Sequence, residues 1–173
     1  MAKKTTLKPI SLGYRAVGAG AGDYTQVMGV LKGLAIAQDE PDSTEIEAEF
    51  YDSPFDIIYQ GKPVTMTFEL ANYQLSELDD LFGGTGTDET AQADGSYEGP
   101  TSATTKEYEW KLDFGRGFNS LVIYKGLTVG TLKKDADGAL NFSVTITSLV
   151  YTDTTVTPNV DHMYKIVANH PTT

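Results

Sequence analysis

The sequence predicts a mainly β, antiparallel sandwich or barrel-like domain with one short flanking helix. Three observations carry this. Several segments alternate apolar and polar residues with period two, the signature of strands with one buried face. Turn residues separate many further short apolar runs. A single segment, 75–82, repeats apolar residues at three- and four-residue spacing, as a helix does.

Residues 1–22 begin with lysines and end in the Gly/Ala-rich stretch AVGAGAG, which reads as a mobile N-terminal arm. Strands are expected at 24–31, 46–51 and 55–59. Residues 64–70 (VTMTFEL) form a strand, with Val64, Met66, Phe68 and Leu70 on one face and Thr65, Thr67 and Glu69 on the other. In the helix, Leu75, Leu78, Leu81 and Phe82 face the core while Glu77, Asp79 and Asp80 point away. Asn72 or Ser76 is the expected N-cap, and Gly83-Gly84 the stop. Residues 83–105 hold Gly, Thr, Ser, Ala and acids with Tyr97 as the one large apolar residue, and read as a long mobile loop.

The strand 107–114 (EYEWKLDF) sets Tyr108, Trp110, Leu112 and Phe114 against a wet face of Glu107, Glu109, Lys111 and Asp113. Strands at 118–124 and 127–132 are expected to flank a turn at Lys125-Gly126. The first is apolar on both faces, so it should meet the core on one side and a helix or another subunit on the other. Residues 140–147 alternate cleanly, and Asp137-Gly138 supplies the turn before them. With 163–167, about nine strands are expected.

The chain has 173 residues, enough for one domain with a sizeable core. It lacks cysteine, which excludes disulfides, thiolate metal sites and thiol nucleophiles. Its formal net charge is -11, against the basic footprint of a static nucleic-acid binder. The charge is uneven: residues 33–105 hold 16 acids and one base, Lys62, whereas the remaining residues together sum to +4. Neither an apolar leader core nor eighteen consecutive apolar residues occurs, so general secretion and membrane spanning are not expected.

Catalytic motifs are weak. The glycines at 18, 20 and 22 lack dinucleotide-fingerprint spacing, and the 83–86 glycines have no following lysine for phosphate. Residues 134–138 resemble a calcium loop only at its opening and read as a hairpin turn. His162 beside Asp161 has no nucleophile elbow to serve. The expectation is a protein that is no enzyme and needs neither metal nor cofactor.

The run 61–70 (GKPVTMTFEL) followed by 75–84 (LSELDDLFGG) resembles the strand-to-helix passage of the major tail tube proteins of long-tailed bacteriophages, relatives by fold of the type VI secretion tube protein. The order of arm, strands, central helix and closing antiparallel strands is similar over most of the length. The resemblance implies a virion tail subunit, assembled in the bacterial host cytoplasm. Its partners would be copies of itself in stacked hexameric rings, other tail proteins, and double-stranded DNA passing without specific binding, with no membrane. A hairpin reaching neighbouring subunits would match 34–59. The 83–105 stretch is longer than the simplest members need.

Glu45, Glu47 and Glu49 alternate with Ile46, Ala48 and Phe50. Such a carboxylate face either blunts an exposed strand or lines a lumen, where it would repel DNA and keep it moving. Phe50, Tyr51, Phe55, Ile57, Ile58 and Tyr59 suit either a core strand or a subunit contact by strand addition. Lys3, Lys4, Lys8 and Arg15 either solubilise the surface or meet the acidic middle of a neighbour in ring stacking. A β-barrel carrier of a small ligand and a bacterial surface or fimbrial subunit are the alternatives.

Overall fold

The alternating segments become the centre of one antiparallel sheet. The computed structural model describes residues 11–20, 22–40, 42–46, 56–100, 105–115, 118–155 and 157–168, with Val30, 42–46 and 56–60 described by their backbone alone. Its strands are β1 (Ser11–Ala16), β2 (Thr25–Gln26), β3 (Val30–Gln38), β4 (Asp42–Ile46), β5 (Asp56–Gln60), β6 (Val64–Ala71), β7 (Thr85–Thr87), β8 (Ser96–Glu98), β9 (Lys106–Asp113), β10 (Ser120–Lys134), β11 (Leu140–Ser148), β12 (Tyr151–Asp153), β13 (Val160–His162) and β14 (Tyr164–Val167). The helix α1 spans Leu75–Phe82. The main sheet runs β2-β1-β9-β10-β11-β6-β3, with β14 also on β10; β4-β5, β7-β8 and β12-β13 form two-stranded ribbons. The fold is mainly β and antiparallel with one short helix, in keeping with the sandwich or barrel-like class.

Register explains the core. The pairs Leu12–Leu112, Tyr14–Trp110, Val144–Phe68 and Ile146–Met66 align the apolar positions of adjacent strands on one face. All eight of these side chains are buried. Leu78, Leu81 and Phe82 of α1 lie in the same cluster, and Phe82 stacks on Phe142 with ring centroids 5.2 Å apart. An eight-residue helix is stable only through such packing.

Several expectations are corrected. The segments 118–124 and 127–132 are one strand, β10, whose register against β9 shifts between Ile123 and Gly126. Gly126 is no turn residue: a Cβ there would stand 2.8 Å from the side chains of Trp110 and Ile146, so glycine leaves room for both to pack over the strand. Residues 24–31 do not form one strand, because the chain crosses at Val27–Gly29 from β2 to β3, with Gly29 tight against Leu70. Fourteen strands occur among the described residues, the extra ones mostly short.

The helix N-cap is Gln74, which makes no side-chain cap bond. Asp88 serves instead, accepting from the Ser76 N–H at 3.1 Å and from the Ser76 hydroxyl. Asn72 is a turn residue with φ +51°. The helix stop is as expected: Gly83, at φ +77°, donates to the Asp79 carbonyl.

The described part of the stretch 83–105, residues 83–100 and 105, is no featureless loop. Its β7–β8 hairpin folds back on α1, Tyr97 packs against the core, and the Tyr97 hydroxyl donates to the Gly83 carbonyl at 2.7 Å. The 135–138 turn closes the β10–β11 hairpin as expected, with Gly138 at φ +87° donating to the Asp135 carbonyl.

Candidate assembly surfaces

The edge of the main sheet continues into a projecting ribbon. β3 is the edge strand and pairs with β6, from Ala35–Thr67 to Gln38–Val64. β4 pairs with β5 from Asp42–Gln60 to Ile46–Asp56. Three residues, 39–41, separate Gln38 from Asp42, and three, 61–63, separate Gln60 from Val64, so the second pairing continues the register of the first without a slip. Pro63 sits in the junction, where it removes one donor. Gln38 bridges the junction through Nε2 to the Lys62 carbonyl at 2.9 Å. The last β6–β11 pair is Thr65–Thr147. Beyond Val64 the ribbon therefore runs eight more residues to Asp56, about 26 Å, paired only to itself among the described residues.

This ribbon overlaps the hairpin expected at 34–59 and extends one residue past it, to Gln60. Glu45 is on β4, and Ile57, Ile58 and Tyr59 are on β5. Glu45 is paired with Ile57 and Ser43 with Tyr59, so by the pleat these positions share one face, while Thr44, Ile46 and Ile58 positions share the other. Position 45 is thus not segregated from the apolar positions 57 and 59. Glu47, Glu49, Phe50, Tyr51 and Phe55 lie outside the described residues, as do Lys3, Lys4 and Lys8.

Arg15 lies inside the fold. Its guanidinium donates to Glu109 Oε1 at 2.6 Å and to the Gly22 carbonyl at 2.9 Å, and sits 4.4 Å over the Tyr24 ring. The Tyr24 hydroxyl also donates to Glu109 Oε1. Glu109, expected on a wet face, is therefore buried with its charge matched. Burial, followed by this bond to Glu109, pushes the Tyr24 phenol well above its ordinary value.

Glu77 is a second correction, being buried rather than pointing away. Its Oε1 accepts the Met28 N–H at 2.8 Å, and its Oε2 has no hydrogen-bond partner. Burial raises its pKa against the lowering pull of backbone N–H groups, foremost that of Met28. Asp80 accepts from the Tyr14 hydroxyl at 3.4 Å.

The surface that sequence reasoning missed is an open apolar groove of about 590 Å³ between α1, the β7–β8 hairpin and the far end of β10–β11. Tyr73, Phe82, Tyr97 and Phe142 line it with Leu132 and Leu140. Phe142 is the centre, its ring meeting Tyr73 edge-on at 5.4 Å and Tyr97 edge-on at 6.1 Å. Leu132 and Leu140 are 60% and 57% exposed, so the groove mouth is apolar. The available signal was the pair of leucines flanking the 135–138 turn, where a solvated hairpin end would carry polar residues.

Among the described residues no group of three or more His, Asp or Glu could hold a metal ion, and no helix is long and apolar enough to cross a membrane. No protein-family model matches the chain, and no curated protein matches it.

Proposed function

We propose that this chain is a structural subunit that assembles with copies of itself into stacked rings, as the tail tube proteins of bacteriophages do. The observation that carries the reading is the edge ribbon. A strand pair that leaves its sheet in unbroken register and, among the described residues, pairs only to itself for about 26 Å offers edge backbone groups on an extended arm. Such an edge favours strand addition from another chain. The resemblance of residues 61–84 to the tube family and the acidic middle of the sequence favour the same reading. In it, Glu45 and the neighbouring Glu47 and Glu49 contribute to an anionic channel through which DNA passes unbound.

Negative-stain microscopy of the concentrated protein tests this. Rings or hollow rods are expected. A chain that stays monomeric at millimolar concentration across low and high salt overturns the reading.

The groove favours a second reading, a carrier of a small apolar ligand, because its volume suits one. A carrier would bind its ligand as a monomer and form no rods.

A further inference from the structure

We propose that the apolar groove is a binding site for a small organic cation, a quaternary ammonium carrying an apolar or aromatic substituent. The inference does not rest on the assembly reading. The ribbon leaves the sheet beyond the Thr147 end of β11, whereas the groove lies at its Leu140–Phe142 end.

The arrangement of the aromatic lining is the first argument. Phe142 forms a floor, held by stacking on Phe82. Tyr73 and Tyr97 stand nearly perpendicular to it, at 80° and 84°, with ring centroids 5.4 and 6.1 Å from its own. A floor and upright walls of aromatic rings attract a cation through their quadrupoles. The walls are set before a ligand arrives: the Tyr73 hydroxyl donates to the Leu140 carbonyl at 3.1 Å and the Tyr97 hydroxyl to the Gly83 carbonyl at 2.7 Å. Rings already fixed lose little freedom on binding.

The polar groups of the lining give the second argument. Both tyrosine hydroxyls are committed to backbone, and the Thr128 hydroxyl accepts from the Trp110 ring N–H at 3.2 Å. The described lining holds no lysine, arginine or histidine to meet an anion. A quaternary ammonium bears no N–H and asks for none of these groups.

Charge is the third argument. Asp79, Asp94 and Glu98 adjoin the lining residues Leu78, Gly95 and Tyr97. Burial, followed by the Asp79 carboxylate, raises the Tyr97 phenol above its ordinary value, so the field of Asp79 reaches this wall. The nearest bases have partners of their own: Lys106 donates to the Asp79 carbonyl, Lys133 is paired with Glu69, and Lys134 has Asp135 beside it in the chain. A cleft flanked by carboxylates concentrates cations. At about 590 Å³, with Leu132 and Leu140 exposed at its mouth, the groove also has room for an apolar substituent beyond the rings.

Isothermal titration calorimetry of the full chain with benzyltrimethylammonium tests this, against benzyl alcohol and phenylmethanesulfonate, which keep the aryl group and change the charge. Saturable binding of the cation alone is expected. Tyr73→Leu should weaken it about tenfold through the lost ring face. Asp94→Asn combined with Glu98→Gln should weaken it about threefold, and Tyr151→Leu on the β12–β13 ribbon should leave it unchanged. Thermal melts confirm that the variants fold, and the exposed Asp94 and Glu98 changes keep the test open if Tyr73→Leu does not fold. No saturable binding of the cation, equal binding of the neutral or anionic analogue, or binding indifferent to the groove variants overturns the proposal. So does retention on phosphatidylcholine vesicles without binding of the free cation, which would assign the groove to a lipid surface. Rods without cation binding remove this site and leave the assembly reading; cation binding by a chain that forms no rods does the reverse.

Discussion

Glu77 on α1 holds the backbone N–H of Met28 at 2.8 Å, fixing the chain where it crosses from β2 to β3. One carboxylate oxygen is matched and the other is buried without a partner. Because burial raises the native pKa above the unfolded value, the native state binds more protons between the two, and stability falls as pH rises through that window. Glu77→Gln keeps the acceptor and removes the charge. Its stability relative to the parent should improve as pH climbs from the ordinary carboxylate range through the raised native pKa and then level off. Urea unfolding at stepped pH checks this, and a difference that does not change with pH refutes it. Glu77→Ala should cost about 1–3 kcal/mol through the orphaned Met28 donor.

Arg15 on β1 and Glu109 on β9 are register partners on adjacent strands, joined by an ion pair. Arg15→Ala leaves the buried Glu109 carboxylate unmatched and should cost roughly 3 kcal/mol, whereas Glu109→Ala leaves only the half-buried Arg15 guanidinium and should cost less. Tyr24→Phe removes one hydrogen bond to the same oxygen and should cost about 1 kcal/mol. Chemical unfolding of the three variants gives the ranking. An Arg15→Ala variant as stable as the parent would show the pair to be superficial.

A Cβ on Gly130 would fall 2.5 Å from the Phe82 ring, which stacking on Phe142 holds in place. Gly130→Ala should therefore destabilise by about 1–3 kcal/mol. Combining it with Phe82→Leu should cost less than the sum of the two single changes, since the smaller side chain vacates the contested space. Strict additivity in the double-mutant cycle would count against this packing.

Asp88 substitutes for a conventional helix cap. The Ser76 hydroxyl and N–H hold its carboxyl below the usual range. A depressed pKa contributes stability above the unfolded value and loses it as pH falls through the native one. Asp88→Asn should lower the melting temperature at neutral pH, with the gap narrowing in acid. Hydrogen exchange of the α1 amides should rise in the same variant.

Replacing residues 41–61 by Asn-Gly should leave the melting temperature nearly unchanged, since the β6–β11 pairing that carries the core ends at Thr65, and should abolish rods. Rods formed by the shortened chain would remove the ribbon from assembly.

The alternating strands were legible because each side-chain face met one environment. Met66, Trp110 and Val144 are buried where period two places them. Residues whose surroundings come from distant chain were not legible. Glu109 reads as solvated until Arg15 and Tyr24 arrive from β1 and the crossing beyond it, and Glu77 until Met28 does. Lys125-Gly126 reads as a turn by composition, yet Trp110 and Ile146 require the glycine for close approach. The groove was invisible because α1, the β7–β8 hairpin and the β10–β11 end contribute to it from three separate stretches.

The two short junctions between sheet and ribbon, 39–41 and 61–63, hold equal numbers of residues. Adding one residue to a single junction would turn that strand over, exchanging inward and outward positions along half the arm. Insertions and deletions there are tolerable only as matched pairs, so homologous chains should differ in length at both junctions together or at neither.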